Sequence, residues 1–434
     1  MNNKSGRTNL FSQICEYLFV ALCIVNFRGM WLHSSDYPLI TNRRVIIAIS
    51  VAALLCIASK GRIKRKKLQK GLLTGILLAS YIMLHTVIKH YSFEESLRFA
   101  MLAFVMSLYH FTCGDENLGF YKKFRDMMVC ISIISLFFWV FGTVLGIIQP
   151  SGIIFTTWTS QPISGAVNLK AVRNFYNVYF ESQAWGTEDA LGIVTNVGII
   201  RNTGMFTETP MYSFLLVLAL SVDLFFDNDS NGKWKRMVLL ATIITTLSSL
   251  GLIMAVFAFS IKLIVTNEKS GVLKILRMMI IPIVLVMGIL FVSFLVESKL
   301  ATSSGITRID DFAAGMKAWV RSPLFGHGMG NAYSYQQHMS SRRLGNAGLS
   351  NSIMQILAYG GIYLLLPYVY CSSRGLKRSI ADMDKNRTAF FVLFIIMVIF
   401  TICPFQALTI YVFVEMAFHD EYSTVKSHLS SYLS

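Results

Sequence analysis

The chain has 434 residues, of which 54% are hydrophobic and only 14% charged, where a soluble globular chain carries about a quarter. So few charges cannot coat a soluble surface of that length, and 13% aromatic residues with long apolar runs are the opposite of a disordered composition. A polytopic membrane protein remains, in line with a mean hydropathy of +0.56.

The formal net charge of +16 is distributed as in a membrane protein. Its densest run, Lys60-Gly61-Arg62-Ile63-Lys64-Arg65-Lys66-Lys67-Leu68-Gln69-Lys70, lies between two apolar stretches, as a cytoplasmic loop does. Nucleic-acid binding needs basic residues on a folded soluble face, and no segment of that kind is present. No nucleic-acid partner is expected; membrane lipid is.

In chain order, spans are expected near 11–27, 45–59, 71–88, 98–113, 127–148, 205–226, 278–296, 351–371 and 388–404, with a weaker one at 405–418. Each approaches the ~20 apolar residues a crossing needs. Segment 237–265 is too long for one untilted crossing and is interrupted by Ser248-Ser249-Leu250-Gly251. Basic loops flank it, Lys233-Trp234-Lys235-Arg236 before and Glu268-Lys269 through Arg277 after, so it is expected to cross twice as a hairpin. The expected fold is all-α, one integral membrane domain over 1–434, with about 12 transmembrane helices and two long outer loops, 149–204 and 297–350. The Lys/Arg bias puts both termini in the cytoplasm and the protein in the cytoplasmic (inner) membrane. Lys4 and Arg7 precede the first span and Arg28 follows it without a small-residue cleavage site, so that span is expected to be a retained helix. The seven cysteines fall in or at the ends of predicted spans, with no spacing that suggests disulfides or a metal site.

The predicted spans are poor in charge. Asp223, Lys262 and Glu415 lie near span ends, where snorkelling explains them. An ion-coupled transporter would place polar residues inside its spans, so a site at the outer membrane face is favoured, with a glycan transporter kept as the alternative of another class. The first outer loop interleaves Phe155, Trp158, Phe175, Tyr176, Tyr179, Phe180 and Trp185 with Lys170, Arg173, Glu181, Glu188 and Asp189. Such aromatics suit sugar rings or, alternatively, an interfacial aromatic belt. The loop ends in Arg201-Asn202-Thr203-Gly204-Met205-Phe206-Thr207-Glu208-Thr209-Pro210-Met211-Tyr212-Ser213, running into a span. Arg201 there can fork onto phosphate oxygens, or anchor in lipid headgroups. The second outer loop carries Thr307-Arg308-Ile309-Asp310-Asp311-Phe312, a helix-like stretch to Trp319, and the turn Arg321-Ser322-Pro323-Leu324-Phe325-Gly326-His327-Gly328-Met329-Gly330-Asn331. That turn lacks the strand context of a dinucleotide or phosphate loop. His338, Arg342, Arg343 and Ser350-Asn351 follow.

These residues resemble a family. Arg201-x-x-Gly204-x-Phe206-x-Glu208-x-Pro210, then Arg308 with Pro323-Leu324-Phe325-Gly326-x-Gly328-x-Gly330, then Asn351 through Gly360-Gly361-Ile362, resemble in order the motifs of O-antigen polymerases and ligases, repeat-unit polysaccharide enzymes. The resemblance covers residues 200–365 by motif and the rest by topology. Ser350 stands where family members often carry His, and Leu250 where ligases tend to have Arg; both departures favour a polymerase over a ligase. What the resemblance implies is a fold like that of the GT-C-type lipid-dependent glycosyltransferases. The implied activity extends a capsular, exopolysaccharide or O-antigen glycan from polyprenyl-pyrophosphate-linked donor and acceptor. A flippase and a chain-length regulator are its expected pathway partners. Arg201 and Arg308, with Arg173 or Arg342, would stabilise the leaving pyrophosphate, and Asn351 would join the substrate-binding set. With no DxD motif in either outer loop, the transfer is expected to need no metal and no cofactor. Glu208, His327 and His338 are the candidates for general base. His327 is slightly favoured, because a Gly-His-Gly setting should expose its imidazole.

Overall fold

Apolar runs become helices here, and their polar ends decide where each begins. The computed structural model describes residues 10–60, 63–114, 118–156, 170–183, 200–227, 232–266, 303–340 and 348–419. The expected span at 278–296 and Trp158, Trp185, Glu188, Asp189 and Arg342 lie outside the described residues. The helices are α1 (Leu10–Asn26), α2 (Asn42–Ser59), α3 (Arg65–Lys89), α4 (Phe93–Cys113), α5 (Gly119–Phe138, continued by a π-helical stretch Trp139–Val144), α6 (Thr209–Phe226), α7 (Lys233–Thr245), α8 (Ser249–Val265), α9 (Ser303–Arg321), α10 (Ser352–Ala381), α11 (Lys385–Ile399) and α12 (Ala407–Phe418). Among the described residues, six are long and apolar enough to cross a membrane: α2, α3, α4, α5 with its π-helical extension, α6 and α10. The protein is thus mostly helical, with the composition of a membrane protein.

Burial is sorted as lipid would sort it. Helix α6 is buried on every face and α12 nearly so, whereas α2 and α3 leave Ile47, Val51, Leu54, Leu73, Ile76, Leu77 and Val87 exposed. A soluble protein would hide these side chains; in a bilayer they meet acyl chains. Gly71 and Gly75 let α3 approach α4 closely, since a Cβ at Gly75 would stand 2.8 Å from the Phe104 ring, the small-residue packing that membrane helices use. Helix α3 begins at Arg65, so the second half of the basic run is helical rather than loop.

The 237–265 segment does fold back. Arg236 at the start of α7 meets Asp223 near the end of α6, Nε to Oδ2 2.8 Å, and Thr245 at its far end meets Asn202 just before α6. The chain reverses at Thr246–Ser248, with Leu247 at φ 49°, and Ser248 caps α8 by accepting from the Gly251 amide. Gly251 packs on Ser213 near the start of α6, and Lys262 lies over Phe225 at the end of α6. Helix α8 therefore returns along α6 in the direction opposite to α7.

The all-α expectation needs correction within residues 149–204, the segment expected as the first outer loop. Strands β1 (Gly152–Thr156), β2 (Lys170–Phe175) and β3 (Tyr179–Glu181) form an antiparallel three-stranded sheet in the order β1-β2-β3. Tyr176 and Asn177 both take positive φ in the β2–β3 turn, which suits the twist of a tight hairpin. Ile154, Val172, Phe175, Tyr179 and Phe180 are buried, so these loop aromatics form a small core. Phe175 packs on Gly142 of the π-helical stretch, where a Cβ would come within 2.7 Å of its ring.

Candidate functional site

The Arg201–Ser213 motif is a folded lead-in followed by a helix. Helix α6 starts at Thr209 with Glu208 at its N-cap position, and the residues before it are held by buried polar anchors. The Asn202 amide nitrogen donates to the Thr245 carbonyl at 3.1 Å and its Nδ2 to Thr245 Oγ1 at 3.0 Å, while its Oδ1 accepts from the Gly204 amide. Thr203 Oγ1 donates to the Phe180 carbonyl, tying the motif to the sheet. Gly204 is at φ +56° with a hypothetical Cβ 3.0 Å from the Tyr212 ring. Only glycine satisfies both that backbone and that contact.

The same lead-in pairs with the segment after α1. The Met30 amide donates to the Met205 carbonyl at 2.9 Å and the Thr207 amide to the Arg28 carbonyl at 3.2 Å. This brings Arg28, itself at φ 63°, against Glu208, with Nη1 to Oε1 2.9 Å. Arg308, on α9, acts on both Glu208 and Asp311. Burial pushes the Glu208 carboxyl up from its ordinary value, and Arg28 and then Arg308 pull it back. Burial likewise lowers the Arg308 guanidinium, which Asp311 and Glu208 oppose. One residue along, Thr209 Oγ1 accepts from Arg201 Nη1 at 3.3 Å. Gln183 Oε1 accepts from both the amide and the hydroxyl of Thr209, and the Gln183 carbonyl accepts from the Arg201 amide. Arg28 thus pairs with Glu208 and Arg308 acts on it, while Arg201 bonds the adjoining Thr209, all at the N-terminal end of α6.

Arg28 is the member that sequence reasoning missed. A lone arginine after the first span reads as a boundary charge, and its partner lies 180 positions away. The only local signal was its place directly before Gly29.

The other expected site residues sit elsewhere. His327 Nε2 lies 2.8 Å from the Ala318 carbonyl, and its backbone amide donates to the Ala358 carbonyl at 2.9 Å. The ring is half-buried, so the Gly-His-Gly setting orders the imidazole rather than exposing it. Gly326, Gly328 and Gly330 all take positive φ, bending the chain tightly around the interruption in α10. There Gly361 leaves helical geometry at φ 57°, ψ −154°, and the Ile362 and Tyr363 amides donate to the Pro323 and Leu324 carbonyls. His338 is lowered in pKa by burial, then by Arg321, Lys317 and His327, and neither histidine is among the groups that act on Glu208. Arg173 pairs with Glu181 across β2 and β3 at 2.8 Å. Asn351 Oδ1 accepts from the Met354 amide at 3.1 Å, which is a helix-capping contact.

Chemically, the cluster offers guanidinium groups suited to bidentate phosphate contacts beside a carboxylate whose burial moves it toward neutral pH. Comparison with known protein families, curated proteins and solved structures finds no significant match.

Proposed function

We propose that the protein is a membrane glycosyltransferase that polymerises polyprenyl-pyrophosphate-linked oligosaccharide repeat units into surface polysaccharide at the outer leaflet of the cytoplasmic membrane. The observation that carries this reading is the approach of Arg28 and Arg308 to Glu208, with Arg201 on the adjoining Thr209, where the motif lead-in enters α6. In this reading the chain crosses the membrane about 12 times with both termini in the cytoplasm, and the Glu208 end faces outward. Donor and acceptor glycans meet there, supplied by the flippase and limited by the chain-length regulator of the same pathway.

The donor brings its own activated leaving group. The acceptor hydroxyl oxygen attacks the anomeric carbon, the bond from that carbon to the pyrophosphate oxygen breaks, and polyprenyl pyrophosphate departs. The arginines neutralise the charge that develops on the leaving oxygen, in the role of an oxyanion hole. Glu208 takes the hydroxyl proton. Diphosphate binding competes for the contact that Arg28 makes with Glu208, so donor arrival releases the carboxylate to act as base.

The test is purified protein in proteoliposomes with a polyprenyl-pyrophosphate oligosaccharide, its products resolved by gel. A ladder of repeat multiples is expected. A single addition to a terminal acceptor would instead make it a ligase, and no transfer with folded protein would remove the reading.

A further inference from the structure

Helix α9 buries one stripe and exposes the other. Ala314 and Ala318 are fully buried, and a Cβ on Gly315 would stand 2.6 Å from the Met354 side chain of α10. Ile309, Phe312 and Val320 are exposed. Residues 308 and 311 share the buried stripe with 315 and 318 at helical spacing, so Arg308 and Asp311 sit one turn apart on the face turned into the molecule. Asp311 is fully buried and lies past the first turn of α9, the part of a helix where the dipole favours a carboxylate. A carboxylate buried to that degree needs cations or hydrogen-bond donors around it. Its neighbour Asp310 is turned to another task, since both its carboxylate oxygens accept from the Ser340 amide at 3.2 Å.

Arg308 is shared between two carboxylates. Asp311 is the stronger of the two influences on its guanidinium and Glu208 the weaker. Tyr335, buried beside Tyr359 with ring centroids 6.1 Å apart, is acted on by both Asp311 and Arg28. With the 2.9 Å pair of Arg28 and Glu208, cation and carboxylate alternate in the order Arg28, Glu208, Arg308, Asp311. Within that series Asp311 competes with Glu208 for Arg308.

We propose that Asp311 is a positioning residue for the transfer, holding the Arg308 guanidinium on α9 so that it does not close onto Glu208 and stays directed at the leaving pyrophosphate. The proposal rests on the polymerase reading above. A guanidinium closed onto Glu208 serves neither step, because it is withdrawn from the leaving oxygen and keeps the base paired. A counter-charge one turn along its own helix fixes the planar fork before the donor arrives.

The experiment compares parent, Asp311→Asn, Arg308→Ala and the double variant in the proteoliposome assay, with kcat followed against pH. Asp311→Asn should lower kcat between about 10-fold and 10²-fold, as a small misplacement of a reacting group does. Its acid limb should move to lower pH, because Arg308 then acts on Glu208 without competition and favours the charged carboxylate. That shift should be lost when Arg308 is alanine, and the double variant should be no slower than Arg308→Ala by itself. Rate losses that multiply, or a limb shift that persists without Arg308, would show Asp311 acting independently and overturn the role. So would a variant that loses thermal stability while its rate per folded molecule and its limb stay at the parent values. If Asp311→Asn does not fold, the pair Arg308→Gln, Asp311→Asn decides, because removing both partners of a buried pair is tolerated better than removing one. Its folding supports the pairing, and its failure to fold would make Asp311 a packing residue of α9. A parent that makes no polymer overturns the polymerase reading and the role together, whereas a parent ladder with parent-like Asp311→Asn overturns the role alone.

Discussion

The two ends of the molecule both carry arginine–carboxylate pairs, but they are built differently. At the α6 C-terminal end, Arg125 is 5% exposed, stands 3.6 Å from Asp223 and contacts Asp227, while Arg236 and Lys235 reach Asp223 and Asp126 at 2.8 Å. Those contacts join the polar ends of α5, α6 and α7, and each of the carboxylates Asp126, Asp223 and Asp227 is met by a cation. At the α6 N-terminal end, the Arg28–Glu208 pair joins two non-helical segments, is 20% and 13% exposed, and rests on an arginine in the left-handed region, a backbone state that costs about 1 kcal/mol or more. The first arrangement clamps helices. The second holds a largely buried charge pair between non-helical segments, with its arginine in the left-handed region and its carboxyl raised by burial.

The largest expected effect falls on Glu208. If it accepts the acceptor proton, Glu208→Gln should lower kcat by about 10²–10⁴-fold with donor binding retained, whereas His327→Gln and His338→Gln should stay near the parent rate. Because burial raises the Glu208 pKa and Arg28 lowers it, the base form is lost as pH falls through a value above the ordinary carboxylate range. Arg28→Ala removes the lowering influence, so the acid limb of the pH–rate profile should move to higher pH still. An unchanged limb would remove Glu208 as the titrating base.

The clamp end should respond in stability and not in chemistry. Removing one partner of a buried pair typically costs about 3–5 kcal/mol, so Arg125→Ala should lower the thermal midpoint in detergent sharply. The rate per folded molecule should hold. A selective rate loss at full stability would erase the distinction between the ends.

Next come the arginines around Glu208. Loss of one donor to a developing oxyanion costs about 10²–10³-fold, and Arg28→Ala, Arg201→Ala and Arg308→Ala should each fall in that range in the proteoliposome assay. Lysine keeps the charge but not the planar fork, so Arg28→Lys and Arg201→Lys should be impaired nearly as much as the alanine variants. Free substitution by lysine would return these residues to headgroup anchors.

What the sequence makes legible follows from how local each signal is. Apolar runs locate the helices because burial in lipid needs only length and hydropathy, and Ser248-Ser249-Leu250-Gly251 marks the reversal because a serine cap and a small residue are local requirements. The motif glycines are legible for the same reason, as the positive φ of Gly204, Gly326, Gly328 and Gly330 bears out. The Arg28–Glu208 pair is not legible, since only tertiary packing brings together residues 180 positions apart. The β1–β3 sheet is hidden by its short strands, whose aromatic residues read equally well as a membrane belt. The interruption of α10 is hidden inside an apolar run, and only the crossing of Pro323 and Leu324 beneath Gly361 gives it a cause.

The smallest expected effect separates a binding residue from a structural one. Asn351 was expected to touch substrate, yet its side chain accepts from the Met354 amide and so caps α10. Loss of such a cap costs about 1 kcal/mol, and serine or aspartate replaces asparagine there with little penalty. Asn351→Ala should therefore lower the thermal midpoint slightly and leave KM for the donor unchanged, while Asn351→Ser and Asn351→Asp should restore the midpoint. A substrate contact predicts the reverse pattern. An aspartate would repel the pyrophosphate, so Asn351→Asp would raise KM well beyond the alanine variant even as it capped the helix. Measuring KM and thermal midpoint together on these variants decides the role, because capping moves only the second quantity and binding moves the first.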